Sequence, residues 1–299
     1  MHEVRVTVPR GGGAAIIKAA VEVGIGRVTV CPVIQAVGPH SEAEIVSVET
    51  STPRAKAFLD RIMSRGTLDL STSSVSTREI RAIVSSEGDR EITYPSVEPT
   101  VEVFQDLWQL NHVTPSYVAR TLAAALLLAY GMRQDDVISI VVAALFLPFM
   151  AQVLGLGFGI WTTNWKLASQ AALALAVSIV ISIAAGVTVA LAFGGPMLFD
   201  GFKAPAVSVG ISLVIGAAAG LSTADDTGRR YLIGVAAAAQ SGVFAVWIGV
   251  AAVLGFPDAL TTLARIATLA LNVVAIATAA CAAYGFLGLR YGNRVVDQS

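Results

Sequence analysis

Of the polar side chains inside long uncharged runs of this chain, four are the candidates for chemistry, Gln152, Gln240, Ser241 and Asn272, accompanied by the backbone-altering residues Pro148 and Gly242. An amide or hydroxyl taken out of water without a partner costs roughly 2 to 7 kcal/mol, so each must hydrogen-bond to another helix or to something that passes. Pro148 lacks a donor and frees a carbonyl one turn back, and Gly242 tolerates unwinding; lipid can satisfy neither exposed backbone. The chemistry open to such a set is coordination of a small solute or ion, and interhelical hydrogen bonding is the competing reading. The six residues form the expected substrate pathway.

Other chemistry is excluded by what is missing. No Asp or Glu falls inside an apolar run, which weakens a proton relay built on a buried carboxylate. The chain has no Ser-Lys or Ser-His pair, HExxH or GxSxG, so a nucleophile with its base is lacking and no enzyme is expected. His2, His40 and His112, like Cys31 and Cys281, are scattered without metal-ligand spacing; neither a structural metal nor a cofactor is expected.

The elements that must hold these residues are membrane spans. Val137 to Trp165 is free of charge, and crossing a hydrocarbon core takes about 20 apolar residues. Similar runs recur at 167–199, 204–224, 231–257 and 266–289. Six spans are expected, over about 116–132, 137–160, 167–193, 206–222, 231–256 and 260–289. Hydrophobic residues make up 55% of the chain and mean hydropathy is +0.70, above the soluble range. Arg120 and Arg265 lie near span ends and are expected to anchor at the interface, as is Trp108 on an amphipathic lead-in with Val103, Leu107 and Leu110. Lys166, Arg229, Arg230, Arg290 and Arg294 flank one side, against Arg133 and Lys203 on the other. The positive-inside rule then puts both termini in the cytoplasm of a multi-pass inner-membrane protein.

The charges are segregated: 23 of the 41 Lys, Arg, Asp and Glu residues fall in the first hundred positions. This defines a cytosolic α+β domain at 1–86, a linker and interfacial helix at 87–115, and the membrane domain at 116–299. MHEVRVTVPR alternates in period two as a strand does and lacks the basic start of a signal peptide. A helix at about 14–24 is expected to bury Ile16, Ile17, Ala20 and Val21, and strands are expected at 27–34 and 44–49. A helix capped by Thr52 with Pro53 at its first position carries the stripe Ala55, Phe58, Leu59, Ile62 and Met63, closed by Gly66. A last strand at 68–75 gives the β-α-β-β-α-β order of a ferredoxin-like domain. STRE at 76–79 has capping-box spacing for a short helix, and a continuing strand competes with it. The net charge of -1 carries no single-sign block and argues against nucleic acid.

Three glycine patterns have two readings each. PRGGG after the first strand is a turn or an anion cradle of backbone N–H groups. Gly155, Gly157 and Gly159 resemble part of a dinucleotide fingerprint, but in an apolar run they thin or unwind the end of the second span. Gly216 and Gly220 fit close helix packing of the small-xxx-small type.

VSTREIRAIVS at the end of the first domain, followed by VVAALFLPFMAQVLGLG, IGVAAAAQSGVFAVWIG and LALNVVAIA, resembles the Domain of Unknown Function 389 family of prokaryotic membrane proteins. The resemblance spans most of the chain. Ala144, Leu147, Pro148 and Met150 match the family's second-span pattern, with Gln152 in place of a second proline. Gly234, Val235, Ala236 and Ala238 match its fifth, where Val243 and Phe244 replace a Pro-Pro pair; Asn272, Val273, Val274, Ala275 and Ile276 represent a further motif. The resemblance implies location and fold class and no substrate.

The expected function is a transporter or channel for a small solute or ion, with the cytosolic domain as regulator. The alternative is a sensory or binding module whose membrane half only anchors and oligomerises the first domain. Membrane lipid and a second copy of the chain are the other expected partners. The six spans are expected to form two inverted three-span repeats, with the second and fifth broken around a midplane site.

Overall fold

The computed structural model describes residues 2–34, 42–64, 68–69, 72–79, 99–223 and 234–289, leaving aside the side chains of 64, 79 and 234–240. It divides into two compact units, 1–103 with 290–299, and 104–289.

The first unit is built on β1 (His2–Pro9), α1 (Gly13–Glu22), β2 (Val28–Ile34), β3 (Glu42–Thr50), α2 (Thr52–Ser64) and β4 (Ser74–Glu79). The strands form one antiparallel sheet in the order β2-β3-β1-β4. Period-two alternation sends Val4, Val6, Val46 and Val48 to the same face, and the register pairs Val4 with Val48 and Val6 with Val46. Ile16 and Ala20 of α1 and Ala55, Phe58, Leu59 and Ile62 of α2 close the core over that face. Val21 is exposed, because the inward stripe of α1 runs through Ala19 and Ala20 instead.

Two expectations are corrected here, and the two readings of PRGGG are resolved. The last strand lies at 74–79 and not at 68–75, so the capping-box residues Ser76 to Glu79 are strand: Val75 pairs with Val6 and Thr77 with Val4, extending the alternation along β1. Thr52 is already helical, the Ser51 carbonyl accepting from Ala55 N–H, and its hydroxyl bonds the buried His2 ring. PRGGG does form a cradle of N–H groups, but an internal carboxylate occupies it, with Gly11 and Gly13 N–H donating to the two oxygens of Glu44 at 3.0 and 3.1 Å. Gly66, His40 and residues 80–98 lie outside the described residues.

The second unit is helical. The helices are α3 (Thr100–Leu110, which crosses the unit boundary), α4 (Pro115–Gln134), α5 (Val137–Phe146), α6 (Phe149–Trp161), α7 (Trp165–Phe193), α8 (Pro205–Thr223), α9 (Gly234–Leu254) and α10 (Ala259–Phe286). Three of these, α7, α8 and α10, are each long and apolar enough to cross a membrane. The count rises to five with α3–α4, bent by 72°, and α5–α6, bent by 44°, each taken as one span. The chain is thus compatible with a multi-pass membrane protein.

Helix ends follow local chemistry. Thr114, Asp136, Asn164 and Asp258 accept at the starts of α4, α5, α7 and α10. Those caps hold the carboxyls of Asp136 and Asp258 below the usual carboxylate range, the first chiefly through Ser139 and the second through the Thr261 N–H. Arg133 at the end of α4 donates to the carbonyls of Phe193 and Gly194 at the end of α7, so α4 and α7 run the same way.

Other contacts fix the remaining directions. Gly157 of α6 packs on Ala277 of α10 and Trp161 on Gly285, so α6 and α10 are parallel. Gly216 packs on Ile276 and Gly220 on Ala280 and Ala283, so α8 and α10 are parallel too. Because α6 returns against α7, with Gly155 on Ala171 and Gly159 on Ala168, the pair α8 and α10 runs opposite to α4 and α7.

Phe58→Ala in a fragment of residues 1–86 should remove about 3 to 5 kcal/mol, read by urea denaturation, because a fully buried ring leaves a cavity. Glu3, bonded by Arg5 and Ser47, has its carboxyl held low, first by the Arg5 hydrogen bond. A depressed acid pKa contributes stability above its unfolded value and loses it as pH falls through the folded one. The same fragment should therefore lose stability on acidification below about pH 4, and Glu3→Gln should flatten that loss.

Candidate functional site

Pro148 breaks the second apolar run as expected. Having no N–H, it leaves the Ala144 carbonyl without a helical donor; Leu147 turns extended and α6 restarts at Phe149. One turn on, Gln152 is fully buried and its Nε2 donates to Ser178 Oγ of α7 at 2.8 Å and to the Tyr117 hydroxyl of α4. Tyr117 also contacts Ser178 Oγ at 2.6 Å and donates to the Ala174 carbonyl at 3.0 Å. Gln152 Oε1 is enclosed without a partner among the described residues. Three helices therefore meet at one polar cluster, with an acceptor to spare.

Asn272 is elsewhere. It is also fully buried, and pairs with Ser208 of α8, its Nδ2 donating at 2.9 Å and its Oδ1 accepting at 3.2 Å. Ser241 and Gly242 of α9 lie nearer the break. A Cβ on Gly242 would sit 3.1 Å from Leu147, the last residue before the proline, and 3.1 Å from Leu128. Ser241 is buried with no hydroxyl partner among the described residues, and the Gln240 side chain lies outside them.

The fifth apolar run is not broken. From Gly234 to Leu254 α9 is one helix, continuous through Gly242, so the expectation of two broken helices holds for the second run only. Val243 and Phe244 donate backbone N–H groups as proline would not, and Gly242 serves close packing. The second run's glycines likewise pack without unwinding, since α6 continues to Trp161.

Of the expected anchors, Arg120 is exposed on α4 and Trp108 is half-buried on α3, stacked on Phe104. Arg265 does more: its guanidinium lies 4.0 Å over the Phe202 ring and 4.6 Å from that of Trp247. The residues not expected were Tyr117, Ser178 and Ser208, and Asn111, which donates to the Leu107 and Ala151 carbonyls.

The two polar clusters occupy equivalent places. Ser178 is the fourteenth residue of α7 and Asn272 the fourteenth of α10. On α8 the buried residues are Ser208, Ser212, Ile215, Gly216, Ala219 and Gly220; those of α4 begin Tyr117, Thr121, Ala124, Ala125, Leu128 and Ala129. One constant offset of 91 carries each of the six onto its counterpart, as 117 onto 208 and 129 onto 220. Thr121 and Ser212, so related, are both buried hydroxyls without a partner among the described residues. The long helices also exchange partners, α7 packing on α9 and α10 on α6: Ile183 and Ala277, the nineteenth residues of α7 and α10, lie against Gly249 and Gly157.

No family model, curated protein or solved structure matches the chain.

Gly186 and Gly249 face each other's backbones, where an added methyl would strike the carbonyls of Val246 and Ile183; Gly210 faces open space. Gly249→Ala and Gly186→Ala should each cost about 1 to 3 kcal/mol, seen as a lower melting temperature of the detergent-solubilised protein, with Gly210→Ala unchanged.

Proposed function

We propose that the chain is an integral membrane transporter or channel-like protein for a small solute or ion, its pathway lying between two inverted three-span repeats. The first repeat is α4, α5–α6 and α7, and the second is α8, α9 and α10. The observation that carries the reading is that each set places a buried polar pair at the same register, Tyr117 with Ser178 and Ser208 with Asn272, on helices of opposite direction. An odd number of spans per copy forces the second copy to enter from the opposite side, and duplicated sites of this kind flank a midplane pathway. Gln152 Oε1, Ser241 Oγ, Thr121 Oγ1 and Ser212 Oγ supply the unspent hydrogen-bonding capacity a passing solute would use.

In this reading the six spans lie in a prokaryotic inner membrane with both termini cytoplasmic, and the chain belongs to the Domain of Unknown Function 389 family. The first unit is its cytosolic regulatory domain, with ferredoxin-like topology supported by the strand order β2-β3-β1-β4 and the two helices on one face. The β2 edge, with Val30 and Ile34 exposed, is where a second copy would associate.

Flux into proteoliposomes against a panel of small anions, cations and polyols tests the proposal. The wild type should accelerate at least one of them, and a Gln152→Leu, Asn272→Leu double variant that still folds should lose most of that rate. Absence of flux for the whole panel would contradict it.

A further inference from the structure

The Ser208–Asn272 pair borders a cavity. A cavity of about 320 Å³ lies between α5, the loop before α8, α8 and α9, and Ser208 forms part of its wall. That is room for about ten waters at ~30 Å³ each, at the small end of ligand pockets. The other wall residues with distinct chemistry are Phe199, Phe202, Phe244 and Lys203, and no acidic side chain lines it. At the corresponding place in the first half, 91 positions earlier, the Tyr117 ring stands where Ser208 has only a hydroxymethyl group.

The charge at the mouth is positive. Lys203 is exposed and has no carboxylate within 4 Å among the described residues, and α8 begins two residues later with its N-terminal dipole end toward the same mouth. Arg265 on the Phe202 ring adds a second cation behind the wall, with Asp200 the acidic group that offsets it. Apolar and aromatic walls, a cationic rim and a polar patch at Ser208 match a small organic anion with a compact apolar body.

We propose that this cavity is the entry chamber for a small monocarboxylate-type anion, open on the side of the loop at 194–204. Lys203 receives the carboxylate, Phe202 and Phe244 receive the apolar body, and the Ser208–Asn272 pair is the first polar contact on the way inward. Tyr117, bonded to Ser178 and Gln152, stands with its ring at the equivalent place in the first half. The inference rests on the transport reading for its direction, but the binding site stands or falls on its own.

The test uses the full-length protein in phosphatidylcholine nanodiscs with radiolabelled benzoate as probe and unlabelled benzyl alcohol as the neutral competitor of similar shape. Saturable benzoate binding is expected, weakened about tenfold or more by Lys203→Glu and by Phe202→Ala, the scale of one charge-assisted contact. Benzyl alcohol should compete at least about tenfold less well than benzoate competes with itself. Lys203→Arg, which keeps the charge, should retain binding and guards against misfolding as the cause of loss. No saturable binding, equal competition by benzyl alcohol, or insensitivity to Lys203→Glu would overturn the proposal. So would abolition of binding when phosphatidylglycerol replaces phosphatidylcholine, since the cavity would then be a lipid site. Benzoate binding without flux of any solute would contradict transport and leave the chamber standing, whereas flux of another solute with no benzoate binding would do the reverse.

Discussion

Lipid offers no hydrogen bonds, and the helical unit has the build that this constraint demands. Gln152, Ser178, Ser208 and Asn272 turn inward and are each almost completely enclosed, while the exposed Thr188 and Thr278 donate to carbonyls of their own helices. The large exposed side chains in the middle of the same helices are apolar, such as Leu173, Val180, Leu191, Val214 and Leu271. Because helices in lipid gain little from burying apolar surface against each other, they need close backbone contact and polar pairs instead. Glycine gives the contact at Gly157, Gly186, Gly216, Gly220 and Gly249, and the amide and hydroxyl residues give the pairs. The break in the second apolar run, at Leu147 and Pro148, is enclosed by Gly242 and by Phe149, which is itself buried.

The same constraint explains how two clusters come to resemble one another. A chain that solves the satisfaction problem once, with a short helix bonded to the middle of a long one, can solve it again in the opposite direction. Tyr117 with Ser178 and Ser208 with Asn272 are two versions with different bulk. The two differ in side-chain size, a phenol ring against a hydroxymethyl group, and the smaller borders a cavity.

Much of this was legible in the residues. The apolar runs located α7, α8 and α10 to within a few positions, and Pro148 marked the break, because length and proline act through the backbone alone. The stripe Ala55, Phe58, Leu59 and Ile62 identified the face of α2 that closes the first core. Tyr117, Ser178 and Ser208 were not picked out, since a single hydroxyl in an apolar run looks alike whether it faces lipid or a partner. A signal was nevertheless present in the matched spacing of Thr121 and Tyr117 with Ser212 and Ser208, which only a comparison of the two halves brings out. Gly242, expected to tolerate unwinding, serves as a packing site, because a glycine's freedom is used only where the helix has another reason to break. Strand β4 was misplaced because capping-box spacing is local, whereas pairing with Val4 and Val6 is not.

Labelling of single cysteines by a membrane-impermeant thiol reagent, after Cys31 and Cys281 are replaced by Ala, tests the arrangement most directly. Cysteines at Gln134, Gly195 and Pro257 should react from one face of sealed vesicles, and those at Thr163, Thr223 and Ser299 from the other, the alternation that six spans in two opposed sets of three require. Labelling of Gly195 and Ser299 from the same face, or of Gln134 and Pro257 from opposite faces, would contradict it.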